Sequence, residues 1–584
     1  MTDSETKEAP AEDTKEKDEN NPYAYLEREN FTSEKFKVEV RGLPKYYGIG
    51  EFKKLLTIKL KLKPCKVKSM KDSNGWLYVS FRSEECRAQA ISTLNGITWK
   101  NCKLTAQIAK PAPDPFIKRK LEKNKTNKKL NANTDPNMSD MDKIKLQTTP
   151  LWNMSYPDQL KFKQEEMKSV LIELAQKMLS NYNNQNGLKL SKWLHSQKEL
   201  YEGLPCELKP ILYADSTEGY RNKCEFTIGK NVKGDKVIIG FRLSSYADGC
   251  TAVGPIDDLC HIPTSMKTAM KILEEFIQMS GLEPFNPVDN SGYWKQVTVR
   301  TSRLNQLMLI VGINPQDLSD DKLQELQTML KEFVEIGKGS SINVTSLYFQ
   351  IMRKKSAGSE PGNTIQHISG AEYIEEMLLN KKFRISPQAF FQINTLGAEV
   401  LYKAIIDMAE PTNDTTVLDI CCGTGSIGLS FSEHCGEVLG VEIVPDAIKD
   451  AKQNVIQNGI TNSDFFSGKA EKILYPIVQR ATKSRIVAVL DPPRAGIDQK
   501  TLLTLRRTNK LNRLIYISCN PQAAMKNLLD LTRPRSKLFA GKPFVPIKAV
   551  PVDMFPHTNH CELIICFERF TEDTDSNDDD LNNI

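Results

Sequence analysis

Cys519 has the clearest chemical potential of the residues in this sequence. It follows the apolar segment 514–517, LIYI, which predicts a short buried strand of a parallel sheet. In open α/β sheets, ligands bind at the carboxyl edge of the strands, where Cys519 would lie. A thiolate at that edge can act as a nucleophile, whereas the alternative is a buried structural thiol. The residues that accompany Cys519 favour the nucleophile.

Two acidic residues also lie at the ends of predicted strands. The largely apolar segment 485–490 ends in Asp491, which is followed by two prolines and Arg494. Glu562 opens another apolar strand and is the one acid between residues 554 and 566. A positioned carboxylate can remove a proton in a reaction, so Glu562 is a candidate base. The alternative is an acid at the solvent end of a strand.

The glycine-rich segment 417–429, VLDICCGTGSIGL, predicts a site for a nucleoside cofactor. A strand at 416–420 precedes glycines in the GxGxxG spacing, which lets the backbone approach a cofactor at the start of a helix. The next predicted strand, 437–444, carries Glu442, nineteen residues past Gly423, where its carboxylate can bind both ribose hydroxyls. The glycines alone do not distinguish NAD from S-adenosylmethionine, but the DPP sequence at 491–493 favours a methyltransferase over a dehydrogenase.

Together, six ordered motifs resemble the RNA 5-methyluridine methyltransferase family, and a seventh resembles the RNA-binding segment of that family. The six are FRISPQAFFQIN (383–394), VLDICCGTGSIGL (417–429), LGVEIVPDAI (439–448), LDPPRAG (490–496), YISCNP (516–521) and FPHTNHCE (555–562). The seventh is YRNKCEF (220–226).

The resemblance implies a covalent mechanism with S-adenosylmethionine as the cofactor. Cys519 is implied as the nucleophile that adds to carbon 6 of uracil, and Glu562 as the general base that removes the proton at carbon 5. The target base must be flipped out of its stack. The implied cofactor-binding residues are Gln392, Cys421, Ser426, Glu442 and Asp491, although Asp491 could instead bind the polar edge of uracil. The candidates for positioning phosphates or bases are Arg221, Lys223 and Arg494.

The cysteines bear on the substrate and on metal binding. One branch of the family, which acts on ribosomal RNA, carries a four-cysteine iron–sulfur cluster. Here Cys206, Cys224, Cys250 and Cys260 lack the close spacing of that cluster. We therefore expect no metal and a tRNA substrate, with the T-loop uridine at position 54 as the usual target of the family.

The chain is predicted to be a multidomain α/β protein. We expect an N-terminal RNA recognition motif-like βαββαβ domain at 35–110, a mixed α/β central RNA-binding domain at 205–380 and a C-terminal Rossmann-like methyltransferase domain at 381–570. The other predicted segments are an acidic disordered tail at 1–34, a basic linker at 111–150, a helical segment at 151–204 and a second acidic disordered tail at 571–584. The basic linker could hold RNA, act as a nuclear address or simply be solvated.

Within the front domain, Trp76 and Tyr78 are two residues apart on a predicted strand and could stack on bases. Asn74 replaces the basic residue that opens the first ribonucleoprotein signature, and Glu39 replaces a stacking aromatic in the second. A protein-docking module of the same fold is therefore the alternative to an RNA-binding module.

Charge and composition favour a nucleic-acid partner. The net charge is +6, but the segments 1–20 and 571–584 carry −5 and −6, which leaves +17 on the rest of the chain. The 13 cysteines include no CxxC pair, which is typical of the cytosol or nucleus. We expect no signal or transit peptide, no membrane segment and a monomer that binds tRNA and possibly other RNAs.

Two other functions remain open. An RNA 5-methylcytosine methyltransferase would share the cofactor domain and a nucleophilic cysteine, but it usually has a Pro-Cys pair where this chain has DPPR, residues 491–494. A non-catalytic tRNA-binding chaperone would explain the basic charge and the front domain, but not the pair formed by Cys519 and Glu562.

Overall fold

The computed structural model describes most of the chain, which separates into two compact units, Met1–Met138 and Ser139–Ile584. The described residues are 23, 26, 32–44, 47–69, 76–112, 138–182, 187–243, 251–353 and 363–571. The predicted acidic tails lie almost wholly outside these ranges, as do residues 113–137 of the predicted basic linker.

The first unit contains a four-stranded antiparallel sheet covered by two helices. The described part of the unit has six strands, of which four form this sheet. They are β1 (Lys37–Arg41), β2 (Lys66–Ser69), β3 (Trp76–Ser80), β4 (Thr98–Trp99), β5 (Cys102–Lys103) and β6 (Thr105–Ile108). Its helices are α1 (Ile49–Lys54), which continues as one π-helical turn, Leu55–Lys59, and α2 (Glu84–Leu94). The sheet has the order β2-β3-β1-β6, and β4 pairs with β5. The apolar residues of β1 and β3 alternate, so that one face of the sheet packs on the helices.

The second unit contains a seven-stranded mixed sheet and a separate hairpin. Two short strands come first, β7 (Glu207–Leu208) and β8 (Leu212–Tyr213). The sheet has the order β11-β10-β9-β12-β13-β14-β15, and only β13 and β14 pair in parallel. Its strands are β9 (Lys223–Lys230), β10 (Val237–Arg242), β11 (Val253–Gly254), β12 (Trp294–Thr301), β13 (Leu307–Ile313), β14 (Ser346–Met352) and β15 (Asn363–Gly370). The hairpin is β16 (Ile374–Leu378) and β17 (Lys381–Ile385).

A nine-stranded sheet forms the rest of the second unit. Its strands are β18 (Thr415–Ile420), β19 (Glu437–Glu442), β20 (Ser463–Ser467), β21 (Arg485–Leu490), β22 (Leu511–Ser518), β23 (Phe544–Asp553) and β24 (Glu562–Arg569), together with β7 and β8. The order is β20-β19-β18-β21-β22-β24-β23-β7, and β8 also pairs with β23. The strands from β20 to β22 are parallel, whereas β24 is antiparallel to both of its neighbours.

Helices cover both faces of this sheet. They and the other helices of the unit are α3 (Asp140–Thr148), α4 (Tyr156–Asn181), α5 (Leu188–Leu200), α6 (Thr264–Met279), α7 (Asp320–Glu335), α8 (Thr395–Ala409), α9 (Ser426–Ser430), α10 (Pro445–Gln457), α11 (Ala470–Arg480), α12 (Gln499–Arg507) and α13 (Pro521–Thr532). In β22, Leu514 and Tyr516 belong to the core on one face, whereas Ile515 and Ile517 belong to the core on the other. Burial on both faces explains why this strand is a continuous apolar segment. No helix among the described residues is both long enough and apolar enough to span a membrane.

One part of the predicted basic linker is instead helical. Helix α3 covers residues 140–148, and the Ser139 side chain caps it by accepting a hydrogen bond from the Asp142 N–H. Ile144 is fully buried in the core of the seven-stranded sheet. The prediction of a linker up to residue 150 was wrong here because a single buried isoleucine in a polar helix gives almost no periodic signal.

Two predicted domain boundaries also differ from the structure. Strands β7 and β8 lie within the predicted central domain, but both pair with β23 of the nine-stranded sheet. The boundary at 380/381 falls in the turn of the β16–β17 hairpin, whose strands pair from Ile374↔Ile385 to Leu378↔Lys381. Helix α4, part of the predicted helical segment, packs into the core of the nine-stranded sheet. Pairing between strands decides these boundaries, and the amino-acid composition does not reveal this pairing.

Because α4 shares a core with the nine-stranded sheet, the two should unfold together. Leu171→Ala removes a fully buried side chain of α4 and should lower the free energy of unfolding by about 2–5 kcal/mol. Leu200→Ala, at a position that is 66% exposed in α5, is the matched control and should change it by less than about 0.5 kcal/mol. Denaturant titration of the full chain measures both, and equal effects of the two substitutions would contradict the shared core.

Candidate active site

One cavity of about 1050 Å³ collects most of the predicted chemical residues. It opens at the carboxyl ends of the parallel strands β18, β19, β21 and β22, and residues of the seven-stranded sheet region also line it. The predicted site residues in its wall are Arg221, Gln392, Cys421, Ser426, Glu442, Asp491, Arg494, Cys519 and Glu562. Lys223 is not in the wall, and Trp76 and Tyr78 belong to the other unit.

Cys519 occupies the junction between a strand and a helix. It comes directly after β22, and Asn520 caps α13 by accepting a hydrogen bond from the Ala523 N–H at 3.1 Å. The thiol is half-buried. Burial raises the pKa of Cys519, as does the nearby carboxyl of Glu562, whereas the charge of Arg494 and a hydrogen bond from it lower this pKa. Arg494 is therefore the side chain that favours the reactive thiolate.

Asp491 and Glu562 are two neighbouring carboxyls, of which Glu562 is buried and Asp491 is partly buried. Burial raises the pKa of Asp491 to about 7. Burial, and then the neighbouring charge of Asp491, raise the pKa of Glu562 well above its usual value. Gln392 donates a hydrogen bond to Asp491 Oδ2 at 3.3 Å, while Glu562 Oε2 has no hydrogen-bond partner. In the described part of the chain, no basic side chain forms an ion pair with either carboxyl. Both shifts favour the neutral forms of these carboxyls.

The glycine-rich loop and Glu442 form the opposite wall. Glu442 accepts hydrogen bonds from the backbone N–H groups of Gly423, Ile443 and Val444 at 3.1, 2.7 and 3.0 Å. Gly425 has a φ of +78°, a left-handed conformation that favours glycine. These bonds fix the carboxylate of Glu442 against the loop that follows β18.

Cys421 and Ser426 lie in the same loop with different environments. Cys421 has a φ of +67°, which is uncommon for a residue with a Cβ atom, and burial raises its pKa to about 12. The thiol is therefore neutral. The hydroxyl of Ser426 is 2.8 Å from that of Tyr402, which lies in helix α8. Tyr402 was not predicted, because it lies on the buried face of that helix and its sequence position resembles any other core tyrosine.

Arg221 reaches the cavity from the segment that precedes β9. Its Nε donates to the carbonyl of Lys223 at 3.1 Å, and residue 221 forms an isolated β-bridge with Asn394. The adjacent Asn222 donates to the carbonyl of Gln392 at 2.9 Å. Lys223 itself is partly buried beside Glu225, 3.4 Å away, and burial lowers the pKa of the lysine. Of the Arg221 and Lys223 side chains, only that of Arg221 therefore lines the cavity.

Several cavity residues were missed in the sequence. They are Gln147 and Thr148 of α3, His261, Phe390, Thr558 and His560. His261 is buried, and burial lowers its pKa to about 3, so that the ring is neutral. Thr558 and His560 lie within a quoted motif, FPHTNHCE, which was the available signal for them. Phe390 lies within another quoted motif, FRISPQAFFQIN. No local pattern marked Gln147, Thr148 or His261, which reach the cavity only through tertiary packing.

In the first unit, Trp76 and Tyr78 share one face of the sheet. Their ring centroids are 5.1 Å apart in an edge-to-face arrangement, and the Lys37 ammonium lies 3.9 Å from the Tyr78 centroid. Glu39 is the cross-strand neighbour of Tyr78. The face therefore combines two aromatic rings with both signs of charge. Asn74 lies outside the described residues.

The cysteines that lack the spacing of the iron–sulfur cluster differ in burial. Cys206 and Cys224 are buried and Cys260 is half-buried, while Cys250 lies outside the described residues. Among the residues that the structure describes, no group of three or more His, Cys, Asp or Glu side chains is arranged to hold a metal ion.

Comparisons with known proteins agree on one family. The family profile described as tRNA (Uracil-5-)-methyltransferase matches residues 363–569. The chain is 39% identical to human (Homo sapiens) tRNA (uracil-5-)-methyltransferase homolog A, over 94% of this chain and 85% of the human protein. It is also 39% identical to human homolog B, over 72% of this chain and 82% of that protein.

A solved structure extends the comparison to the fold. The crystal structure of Pyrococcus abyssi tRNA (uracil-54, C5)-methyltransferase in complex with S-adenosyl-L-homocysteine aligns with a TM-score of 0.51 and 22% identity, over 71% of this chain and 84% of that one. The shared fold, the profile match and the identity along nearly the whole chain lead to one conclusion. The chain belongs to the tRNA (uracil-5-)-methyltransferase family.

Proposed function

We propose that this protein transfers a methyl group from S-adenosylmethionine to carbon 5 of a uridine in tRNA. The observation that carries the proposal is the meeting of Cys519, Asp491 and Glu562 in one cavity with the glycine-rich loop and Glu442. Membership of the family supports the reaction, and the name of the Pyrococcus relative supports the T-loop uridine at position 54 as the target.

The cavity fits a cationic nucleoside cofactor. Its two carboxyls lack an ion-pair partner among the described residues, and one oxygen of Glu562 has no hydrogen-bond partner. S-adenosylmethionine would supply a methyl group activated by a positively charged sulfonium. The residues that would hold this cofactor are Gln392, Cys421, Ser426, Glu442 and Asp491. Glu442 would bind the ribose, and Cys421 would contribute through its backbone because its thiol is neutral.

Cys519 would open the reaction as a nucleophile. Carbon 5 of uracil is a poor nucleophile until a thiolate adds to carbon 6, which converts the ring to an enolate. Burial and Glu562 raise the pKa of Cys519, and Arg494 opposes this rise, which supports the role because the thiolate is the reactive form. Asp491 is placed to bind either the polar edge of the base or the cofactor.

Glu562 would complete the reaction as a base. After methylation, carbon 5 carries a hydrogen that must leave before the bond between carbon 6 and the sulfur can break. Burial and the charge of Asp491 raise the pKa of Glu562, so its carboxylate, once ionised, is a stronger base than an exposed glutamate. Its unpartnered oxygen Oε2 supports a role toward a ligand.

The basic residues would hold the RNA while the target base is flipped into the cavity. Arg221 lines the cavity from the region of the seven-stranded sheet, and Lys223 adds positive charge on the adjacent strand. Neutralising phosphates with such residues supplies affinity without sequence preference.

We further propose that the first unit is an RNA recognition motif-like module. The sheet order β2-β3-β1-β6 with two helices on one face supports this assignment, and Trp76 and Tyr78 would stack on bases from the other face. Glu39 in the middle of that face keeps a protein-docking function as the competing hypothesis.

No comparable feature of the cavity supports either of the two alternative functions. A 5-methylcytosine methyltransferase usually has a cysteine after the fourth strand, where β21 is followed by Asp491, Pro492, Pro493 and Arg494. A non-catalytic chaperone would not need two carboxyls beside a thiol.

Substitution of the proposed base should trap the covalent intermediate. Glu562→Gln should still allow addition and methylation, but the amide cannot accept the proton, so methylated RNA should stay bonded to Cys519. A denaturing gel of the variant with tRNA and S-adenosylmethionine should show a slowly migrating band.

Cys519→Ala in the same background is the control and should abolish that band. A Cys519→Ala single variant that methylates uridine at even a tenth of the native rate would refute the nucleophile. A Glu562→Gln variant that binds both substrates and traps nothing would refute the base.

Removal of the charge beside the thiol should move the pH profile. Because Arg494 lowers the pKa of Cys519, Arg494→Gln should raise that pKa, reduce the thiolate fraction at neutral pH and shift adduct formation to more alkaline pH. Single-turnover rates at saturating tRNA from pH 6 to 10 measure the shift. Arg494→Lys retains a charge and should shift the profile less, and identical profiles for all three proteins would contradict the role.

The aromatic face of the first unit should contribute to affinity and not to turnover. Trp76→Ala combined with Tyr78→Ala should weaken tRNA binding by about 30-fold or more, since stacking on each of two bases is worth about 1–3 kcal/mol. The maximal rate at saturating tRNA should stay within about twofold of the native rate, because neither residue lies in the cavity. Unchanged tRNA affinity in a stably folded variant would favour the protein-docking function.

A further inference from the structure

The loop between β23 and β24, residues 554–561, connects the cavity to several distant segments. Phe555, Thr558 and His560 of this loop line the cavity, and the loop leads directly into Glu562. Four consecutive backbone carbonyls of the loop accept hydrogen bonds from outside it. The donors are Asn394 Nδ2 to Met554 O (3.0 Å), Lys163 Nζ to Phe555 O (3.0 Å), the Tyr220 hydroxyl to Pro556 O (2.9 Å) and the Leu151 N–H to His557 O (2.9 Å).

Lys163 is the charged member of this set. It belongs to helix α4, its side chain is fully buried, and its Nζ is 2.7 Å from Asp553 Oδ1. The same Asp553 oxygen accepts the backbone N–H of Phe555 at 3.0 Å. The ion pair therefore holds both the N–H and the carbonyl of Phe555, at the point where the chain leaves β23.

Gln159, one helical turn before Lys163, holds the next part of the loop. Its Oε1 accepts the His557 N–H at 2.8 Å, and its Nε2 is 3.1 Å from His557 Nδ1. His557 has a φ of +67°, a conformation that costs free energy in a residue with a Cβ atom. Such a conformation persists only when its surroundings determine it, and the fully buried Gln159 supplies those bonds.

A buried ion pair is a poor device for stability, because the loss of hydration offsets much of the attraction between its charges. The Lys163–Asp553 pair nevertheless joins α4 to the end of β23, next to the loop that lines the cavity. Its contacts with Phe555 hold the start of the loop that leads to Glu562. This location favours a role in positioning over a role in stability alone.

We propose that Lys163, with Gln159, is a positioning residue that aims the Glu562 carboxylate at carbon 5 of the bound uracil. The proposal rests on the proposed function, in which Glu562 is the base. In the step concerned, the C5–H bond breaks and its proton moves to Glu562. The electron pair forms the C5–C6 double bond, the C6–S bond breaks, and Cys519 leaves as a thiolate. A displaced Glu562 slows this step and leaves the earlier addition of Cys519 intact.

The test removes the bond from Lys163 without leaving a buried charge. Lys163→Met combined with Asp553→Asn eliminates both charges, while the asparagine oxygen can still accept the Phe555 N–H. Gln159→Leu, which involves no buried charge, is the second variant. We expect product release in single-turnover assays to slow by roughly 10- to 100-fold, the scale expected from a small displacement of a catalytic group. The same variants should accumulate a denaturation-resistant bond between Cys519 and methylated RNA, with near-native affinity for tRNA.

Lys381→Met is the matched control. Lys381 is another buried lysine of this unit, with its Nζ 2.7 Å from Glu433, but it does not line the cavity. It should lose stability without accumulating the adduct, whereas a merely structural role for Lys163 would make the two lysines behave alike.

The outcomes separate the two proposals. Adduct that accumulates in Glu562→Gln and in both variants supports positioning. Adduct in Glu562→Gln but in neither variant, or equal accumulation in Lys381→Met, overturns the positioning role and leaves the proposed function intact. Absence of adduct in Glu562→Gln itself overturns the base assignment, and the positioning role falls with it.

Discussion

The placement of two carboxyls beside one thiol is the constraint on which the site depends. Burial raises the pKa of Cys519, Glu562 and Asp491 raise it further, and the charge of Asp491 also raises the pKa of Glu562. Arg494 opposes this effect at the thiol. A protein holds such an arrangement only if the surrounding structure fixes each group, because separation would relieve the repulsion. The doubly wound sheet supplies that rigidity, with each group at a strand end.

The walls of the cavity come from parts of the chain that are far apart in sequence. The glycine-rich loop follows β18 and Glu442 ends β19, and both strands belong to the nine-stranded sheet. Arg221, in contrast, precedes β9 of the seven-stranded sheet. Asn222 links the two regions by donating hydrogen bonds to Gln392 and Thr395. The buried Asn222 amide and the bridge between Arg221 and Asn394 thus join the segment before β9 to the segment that carries Gln392.

Helix α4 shows how a segment without chemistry of its own takes part in the site. Its apolar face completes the core beneath the nine-stranded sheet, and its first two turns carry Gln159 and Lys163 into the loop before Glu562. The family profile matches residues 363–569 and so does not include this helix. The nine-stranded sheet nevertheless shares its core with this helix, which lies outside the matched residues.

The sequence by itself determined several strands of the nine-stranded sheet and the residues at their ends. The segment 485–490 is strand β21 as predicted, and Cys519 and Glu562 lie at strand ends, because continuous apolar segments have one stable place in a sheet covered on both faces. Only the tertiary structure decided which other segments pair with or pack against those strands. Helix α3 was missed because one buried isoleucine makes no pattern, and β7 and β8 were assigned to another domain because strand pairing leaves no local signal. The buried bonds of Lys163 have the same origin. In sequence this lysine resembles any solvent-facing lysine of an amphipathic helix, and its burial depends on Asp553, 390 residues away.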